Sequence, residues 1–187
     1  MHKANSALTQ LALSQLVVVD MQVKLAPAMP VEAMQQLSKN CSILVQAAVL
    51  LNVPTVLTEQ YPQGLGETLP EIKQFLPNNK AIAKMAFSAC GEPKFNQQLY
   101  RDKSQIIVSG IEAHICVLQT ALALLQTGKQ VFVVEDAVLS RSSANKANAI
   151  ARMRDAGCII TNTESVLFEW IGDANHEAAK AIFNLIK

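Results

Sequence analysis

Short, continuous apolar runs alternate with longer stretches in which apolar residues recur at helical spacing, and this alternation organises the whole chain. The run Leu16-Val17-Val18-Val19, ending at Asp20, reads as a strand buried on both faces. From Glu32 to Leu51, apolar residues at Met34, Leu37, Cys41, Leu44, Val45, Ala48 and Leu51 trace one helical face, with Asn52 at its stop. A second strand begins at Pro54-Thr55-Val56-Leu57. Pro62, Gly64, Gly66, Pro70 and Pro77 then mark Thr58 to Asn79 as a long loop with a short helix around Glu71 to Phe75. Loops of that length usually serve function.

The grammar repeats to the end of the chain. Ala81-Ile82-Ala83 predicts a third strand closing on Lys84, followed by a helix over Glu92 to Arg101, and Ile106-Ile107-Val108 a fourth closing on Ser109-Gly110. A helix over His114 to Thr127 stops at Gly128, where a C′ glycine belongs. Val131 to Val134 predicts strand five, Ser143 to Ala156 a helix, and Cys158 to Ile160 strand six. Helices over Glu164 to Trp170 and Asp173 to Leu185 follow. Strands separated by helices imply right-handed crossovers, hence an α/β fold with a doubly wound, six-stranded parallel sheet covered by helices on both faces. The length of 187 residues predicts one domain over 1–187.

Composition and charge narrow the function. Half the residues are hydrophobic and few are aromatic, which suits a Val/Ile/Leu/Ala core. The formal net charge is +1 with mixed signs, so neither nucleic acid nor an anionic membrane is an expected partner. A small-molecule substrate and further copies of the chain are, and the apolar stretch Ala178 to Leu185 offers itself as a contact surface. Met1 to Gln15 lacks a signal-peptide pattern, and no run of about 18 apolar residues would span a membrane. Cys41, Cys90, Cys116 and Cys158 are scattered without paired spacing, so a reducing cytoplasm is expected.

In a doubly wound sheet, ligands bind outside the carboxyl ends of the strands. Asp20, Lys84 and the turn from Gly110 to Cys116 all follow such ends. Taken singly, Asp20 could be a cap or turn residue and Lys84 a solvated surface lysine. Cys41 and Cys158 read as inert buried thiols. Cys116 opens a helical run, where main-chain amides lower a thiol pKa and offer donors to an oxyanion. The helix end contributes only about 0.3–1 kcal/mol. A cation about 4 Å away at an effective dielectric near 20 contributes roughly 4 kcal/mol, so Lys84 would be the larger activating influence. Asp20 would be the proton acceptor.

With these residues in place, the chain resembles the isochorismatase-like superfamily of cysteine hydrolases, closest to the isochorismatase domain-containing subgroup. The resemblance runs from Leu16 to Phe168. It is carried by Val18-Val19-Asp20-Met21-Gln22, Thr58-Glu59-Gln60-Tyr61-Pro62, Lys84-Met85-Ala86-Phe87-Ser88 and Gly110-Ile111-Glu112-Ala113-His114-Ile115-Cys116-Val117. It implies a six-stranded parallel sheet and a catalytic triad of Asp20, Lys84 and Cys116. It also implies a cis peptide between Ile111 and Glu112 that aims the Glu112 amide, with that of Cys116, at an oxyanion.

The departures from the superfamily pattern are equally informative. Nicotinamidases of this superfamily hold a metal through an Asp-x-His pair after the second strand and a further His. Here that loop reads Thr58-Glu59-Gln60-Tyr61, and the histidines are His2, His114 and His176, so no metal site is expected. True isochorismatases cleave a vinyl ether without the cysteine. The expectation is therefore metal-independent, cofactor-free hydrolysis of an amide or related C–N bond through a Cys116 thioester. The alternatives are a binding, scaffold or thiol-sensing protein on the same fold, and a vinyl ether hydrolase. Gln22, Tyr61, Phe87 and His114 flank the triad along the sequence and are candidates for lining a substrate pocket. Core packing is the alternative for Phe87, and a supporting or interface role for His114.

Overall fold

The computed structural model describes residues 6–187, so His2 lies outside the described residues. Six strands, β1 (Ser14–Val19), β2 (Thr55–Gln60), β3 (Ile82–Lys84), β4 (Gln105–Ile111), β5 (Gln130–Leu139) and β6 (Ile159–Thr161), form one sheet in the order β3-β2-β1-β4-β5-β6. Every neighbouring pair is parallel.

The helices are α1 (Val31–Leu50), α2 (Pro62–Leu65), α3 (Pro70–Lys73), α4 (Pro93–Gln98), α5 (Leu118–Gln126), α6 (Ser143–Asp155), α7 (Thr163–Ile171) and α8 (Ala179–Leu185). Because successive strand side chains point to opposite faces, Leu16 and Val18 enter one core while Val17 and Val19 enter the other. The first core packs the sheet against α1, α7 and α8, and the second against α4, α5 and α6.

Three strands outrun their apolar cores. β2 continues through Thr58, Glu59 and Gln60, where a loop was expected; β4 reaches Ile111; and β5 continues past Val134 to Leu139. In each case the added residues pair with a neighbouring strand or sit at the sheet's carboxyl end, so main-chain hydrogen bonding overrides side-chain polarity. The segment expected as a loop to Asn79 also holds two single-turn helices. It is tied down by an antiparallel bridge between Gln22 and Thr68 and by the Leu69 amide on Met21 O at 2.7 Å.

Other expectations shift more modestly. The helix expected over Glu92–Arg101 shortens to Pro93–Gln98 behind a 3-10 turn at Ala89–Gly91. The last helix begins at Ala179, not Asp173. Within the stretch Ala178 to Leu185, Ala179 and Ile182 are buried in the first core, and Phe183 stacks on the exposed Phe168 with ring centroids 5.5 Å apart. Among the described residues, no helix is long and apolar enough to cross a membrane.

Candidate active site

The strand order reverses at β1. From there the chain winds outward through β2 and β3, then returns to place β4, β5 and β6 on the other side. A crevice opens at such a switch point, outside the carboxyl ends of the two central strands. Asp20 follows β1 and Cys116 follows β4, one on each side of that crevice, and Lys84 ends β3.

A close main-chain approach sets the height of this crevice. Gly110 pairs with Val19 across β1 and β4 and has φ +114°. A Cβ at Gly110 would stand 2.0 Å from Val19 O and 2.7 Å from Val19 N, so only glycine fits. Asp20 itself has φ +50°, a conformation that few side chains besides Asp and Asn accept. Its backbone is fixed by its own N–H on Thr58 O at 3.1 Å, and its O accepts from Gln22 N at 2.8 Å.

Asp20 and Lys84 are both buried and form an ion pair with Nζ 2.7 Å from Oδ2. The Thr58 hydroxyl donates to the other carboxylate oxygen at 2.7 Å. Lys84 Nζ also donates to Gln60 Oε1 at 2.7 Å, Phe87 O at 3.0 Å and Ala86 O at 3.3 Å. A lysine has three protons to donate, so four acceptors leave this ammonium saturated. Thr58 and Gln60 were not singled out from the sequence. The signal was present, since β2 lies between β1 and β3 and its carboxyl end must fall between Asp20 and Lys84.

Cys116 is buried within a π-type turn, Ala113–Val117, that precedes α5. Burial pushes its thiol up to about 12; the Asp20 charge adds to that rise and Lys84 opposes it. This corrects the expectation of a thiol acidified by Lys84. The lysine charge is already matched by Asp20, so desolvation of the thiolate dominates. The free thiol therefore holds its proton at neutral pH and needs an adjacent acceptor at the moment of attack.

The peptide bond between Ile111 and Glu112 is cis. The Glu112 carboxylate is fixed by the Arg141 main-chain amide at 3.0 Å and lies 3.4 Å from the Arg141 guanidinium. His114 bridges from the turn to neighbouring elements, with Nδ1 2.9 Å from the Ser140 hydroxyl and Nε2 3.4 Å from the Asn145 amide nitrogen.

The other pocket candidates separate by burial. Gln22 is fully buried and its amide is spent on main chain: Nε2 donates to Gln60 O and Gly66 O, and Oε1 accepts from Gln60 N. It is a clamp between the end of β2 and the loop at Gly66. Tyr61 and Phe87 stay exposed, which removes core packing as the reading of Phe87. Cys41 and Cys158 are buried, with pKa values pushed by burial to about 12 and about 11. Among the described residues, no group of three or more His, Cys, Asp or Glu side chains is arranged to hold a metal ion.

Comparison with known proteins settles the family. The isochorismatase domain model matches residues 14–165. The chain belongs to the isochorismatase domain family. It is 39% identical over 176 residues to isochorismatase domain-containing protein 2 of Bos taurus, covering 93% of this chain and 83% of that one. Among solved structures, the MAR1 ribonuclease of Caenorhabditis elegans superposes with a TM-score of 0.90 at 37% identity, covering 96% of this chain and 92% of the other. The YcaC gene product of Escherichia coli, an octameric hydrolase of unknown specificity, superposes with a TM-score of 0.88 at 25% identity, covering 96% and 91%. This chain thus has the isochorismatase-family hydrolase fold.

Proposed function

We propose that this isochorismatase-family protein is a metal-independent cysteine hydrolase that cleaves an amide or related C–N bond of a small molecule, with Asp20, Lys84 and Cys116 as its catalytic residues. The observation that supports the reading is the sealed Asp20–Lys84 pair lying beside the Cys116 thiol. A carboxylate with one oxygen held by Thr58 and the other by Lys84 is a fixed proton acceptor beside a thiol that keeps its proton until a substrate arrives.

The reaction follows from those positions. Asp20 takes the proton from Cys116 Sγ as the Sγ–C bond forms at the carbonyl. The charge on the carbonyl oxygen is received by the main-chain amides of Glu112 and Cys116. The C–N bond breaks, and Asp20 returns the proton to the departing nitrogen, releasing ammonia or an amine. Water then attacks the thioester, giving a proton to Asp20. The C–S bond breaks, the acid leaves, and the thiolate is reprotonated. Lys84 holds the Asp20 carboxylate in place throughout, and no cofactor takes part.

A ribonuclease activity, named for the nematode structure, would ask for cations free to hold phosphate oxygens. Lys84, the cation buried beside Cys116, is saturated and has no donor to give. An assay of ammonia and carboxylic acid release over an amide panel, with single-stranded RNA as a parallel substrate, tests the reading. The expected result is turnover of at least one amide, lost on Cys116→Ala and on Asp20→Asn. RNA cleavage that survives Cys116→Ala would overturn it. A protein that needs Cys116 alone and responds by reversible oxidation would be the sensor instead.

A further inference from the structure

We infer that Tyr61, Met85 and Phe87 form an apolar platform beside Cys116, and that the site takes an uncharged substrate bearing an aliphatic or aromatic substituent. The inference rests on the reading of Cys116 as nucleophile and adds to it the chemical class of what is attacked.

Large apolar side chains left singly in water are ordinary, and their grouping is what carries information. Tyr61 is 47% exposed, Met85 68% and Phe87 54%, and all three are tied through their main chains to the same lysine or its neighbour. The Tyr61 amide donates to Lys84 O at 2.9 Å. Met85 O accepts from the Gln60 side chain at 3.0 Å, and that side chain in turn accepts from Lys84 Nζ. Phe87 O accepts from Lys84 Nζ directly.

The segment from Met85 to Ala89 is also anchored at its far end. The Ala89 amide donates to the Thr120 hydroxyl at 2.9 Å, one helical turn beyond Cys116. A Cβ on Gly91 would lie 2.9 Å from Ala86 Cβ, so the segment folds tightly on itself. It therefore forms a fixed arch from the lysine to the helix of the nucleophile, with Met85 and Phe87 facing solvent from it.

Charge around the arch argues against an anionic substrate. Lys84 has no free proton to offer, and Arg141 is matched by Glu112. Glu92 accepts from the Met85 amide at 3.1 Å and adds a negative charge at the arch. An uncharged substrate meets no penalty there, and each methylene it lays on the platform is worth about fourfold in affinity.

Alkylation of Cys116 tests the platform without needing turnover. Iodoacetamide, N-benzyl-iodoacetamide and iodoacetate each form an Sγ–C bond as the C–I bond breaks, with iodide leaving and the thiol proton going to solvent. Rates at Cys116 are read by peptide mass spectrometry on the full chain and divided by the rate of each reagent with glutathione. The expected order is N-benzyl-iodoacetamide about tenfold above iodoacetamide, with iodoacetate slowest. The advantage should fall to about threefold or less on Phe87→Ser combined with Met85→Ser, and partly on Tyr61→Ser alone. Equal normalised rates in the wild-type protein, or a preference for iodoacetate, would overturn the inference whatever the variants do. Apolar preference in a protein that hydrolyses no amide would support the platform and sink the hydrolase reading. Amide turnover without that preference would do the reverse.

Discussion

Lys84 Nζ stands 2.7 Å from Asp20 Oδ2, and neither side chain is reached by solvent. Two opposite charges in such a place are each costly to desolvate, and each compensates the other. The pair, to which the proposed reaction assigns the proton transfer, is therefore also a point at which the fold is easily harmed.

Removing one partner should cost more than removing both. Lys84→Met leaves the Asp20 charge buried and uncompensated, and should lower the unfolding free energy by about 3–5 kcal/mol. The double variant Lys84→Met with Asp20→Asn should recover a measurable part of that loss while remaining inactive. Urea titration of the three proteins checks this. Equal stability of the single and double variants would show that the pair is not coupled.

Two glycines with similar backbone angles should behave very differently. Gly110 has φ +114° with Val19 O where its Cβ would go, whereas Gly157 has φ +106° with open space. Gly110→Ala should give insoluble or inactive protein, because two central strands would have to part. Gly157→Ala should cost only the backbone preference, about 1–2 kcal/mol, with activity retained. Soluble yield and thermal midpoint separate the two.

Stability should decline at alkaline pH. The Cys41, Cys116 and Cys158 thiols are pushed up by burial to about 12, 12 and 11, from an ordinary value of 9.0. A thiol whose folded pKa lies above its unfolded one favours the fold below about pH 9, and that contribution fades as pH rises toward the folded value. Melting temperature measured from pH 8 to pH 11 should therefore fall. The fall should be shallower in Cys41→Ala, even though the cavity lowers that variant's starting point.

Gln22 offers a way to tell a clamp from a substrate contact. Gln22→Leu strips three main-chain partners of their hydrogen bonds, and should cost about 1–3 kcal/mol for each group left buried and unpaired. Thermal denaturation should show the loss, and the ratio of rates between two amides should stay unchanged. A changed ratio with an unchanged melting temperature would put Gln22 in contact with substrate instead.

Much of this was legible in the residue pattern. The apolar runs at Leu16 to Val19 and Val131 to Val134 located central strands, and Asp20, Lys84 and Cys116 fell where strand ends put them. The apolar pattern stops short at Thr58, Ser109 and Glu135, because it marks only the buried apolar part of each strand. At the carboxyl end of a sheet polar residues belong in strands, since that is where the site is built. That limit hides Thr58 and Gln60, the two side chains that hold Asp20 and Lys84 from the middle strand. The state of the thiol is hidden from the sequence for a different reason: a lysine activates a cysteine only if its charge is not already matched, and spacing along a sequence does not show that match.

The contact of Gly110 with Val19 separates what can change in this protein from what cannot. The spacing of the two central strands at the crevice is set by main chain pressed on main chain, which leaves no room for a side chain at position 110. The exposed side chains at 61, 85 and 87 support no core and can be exchanged with little harm to the fold. A protein divided in this way can acquire new substrates by altering its rim while its reaction stays the same, and directed evolution of this chain should find its gains at those three positions.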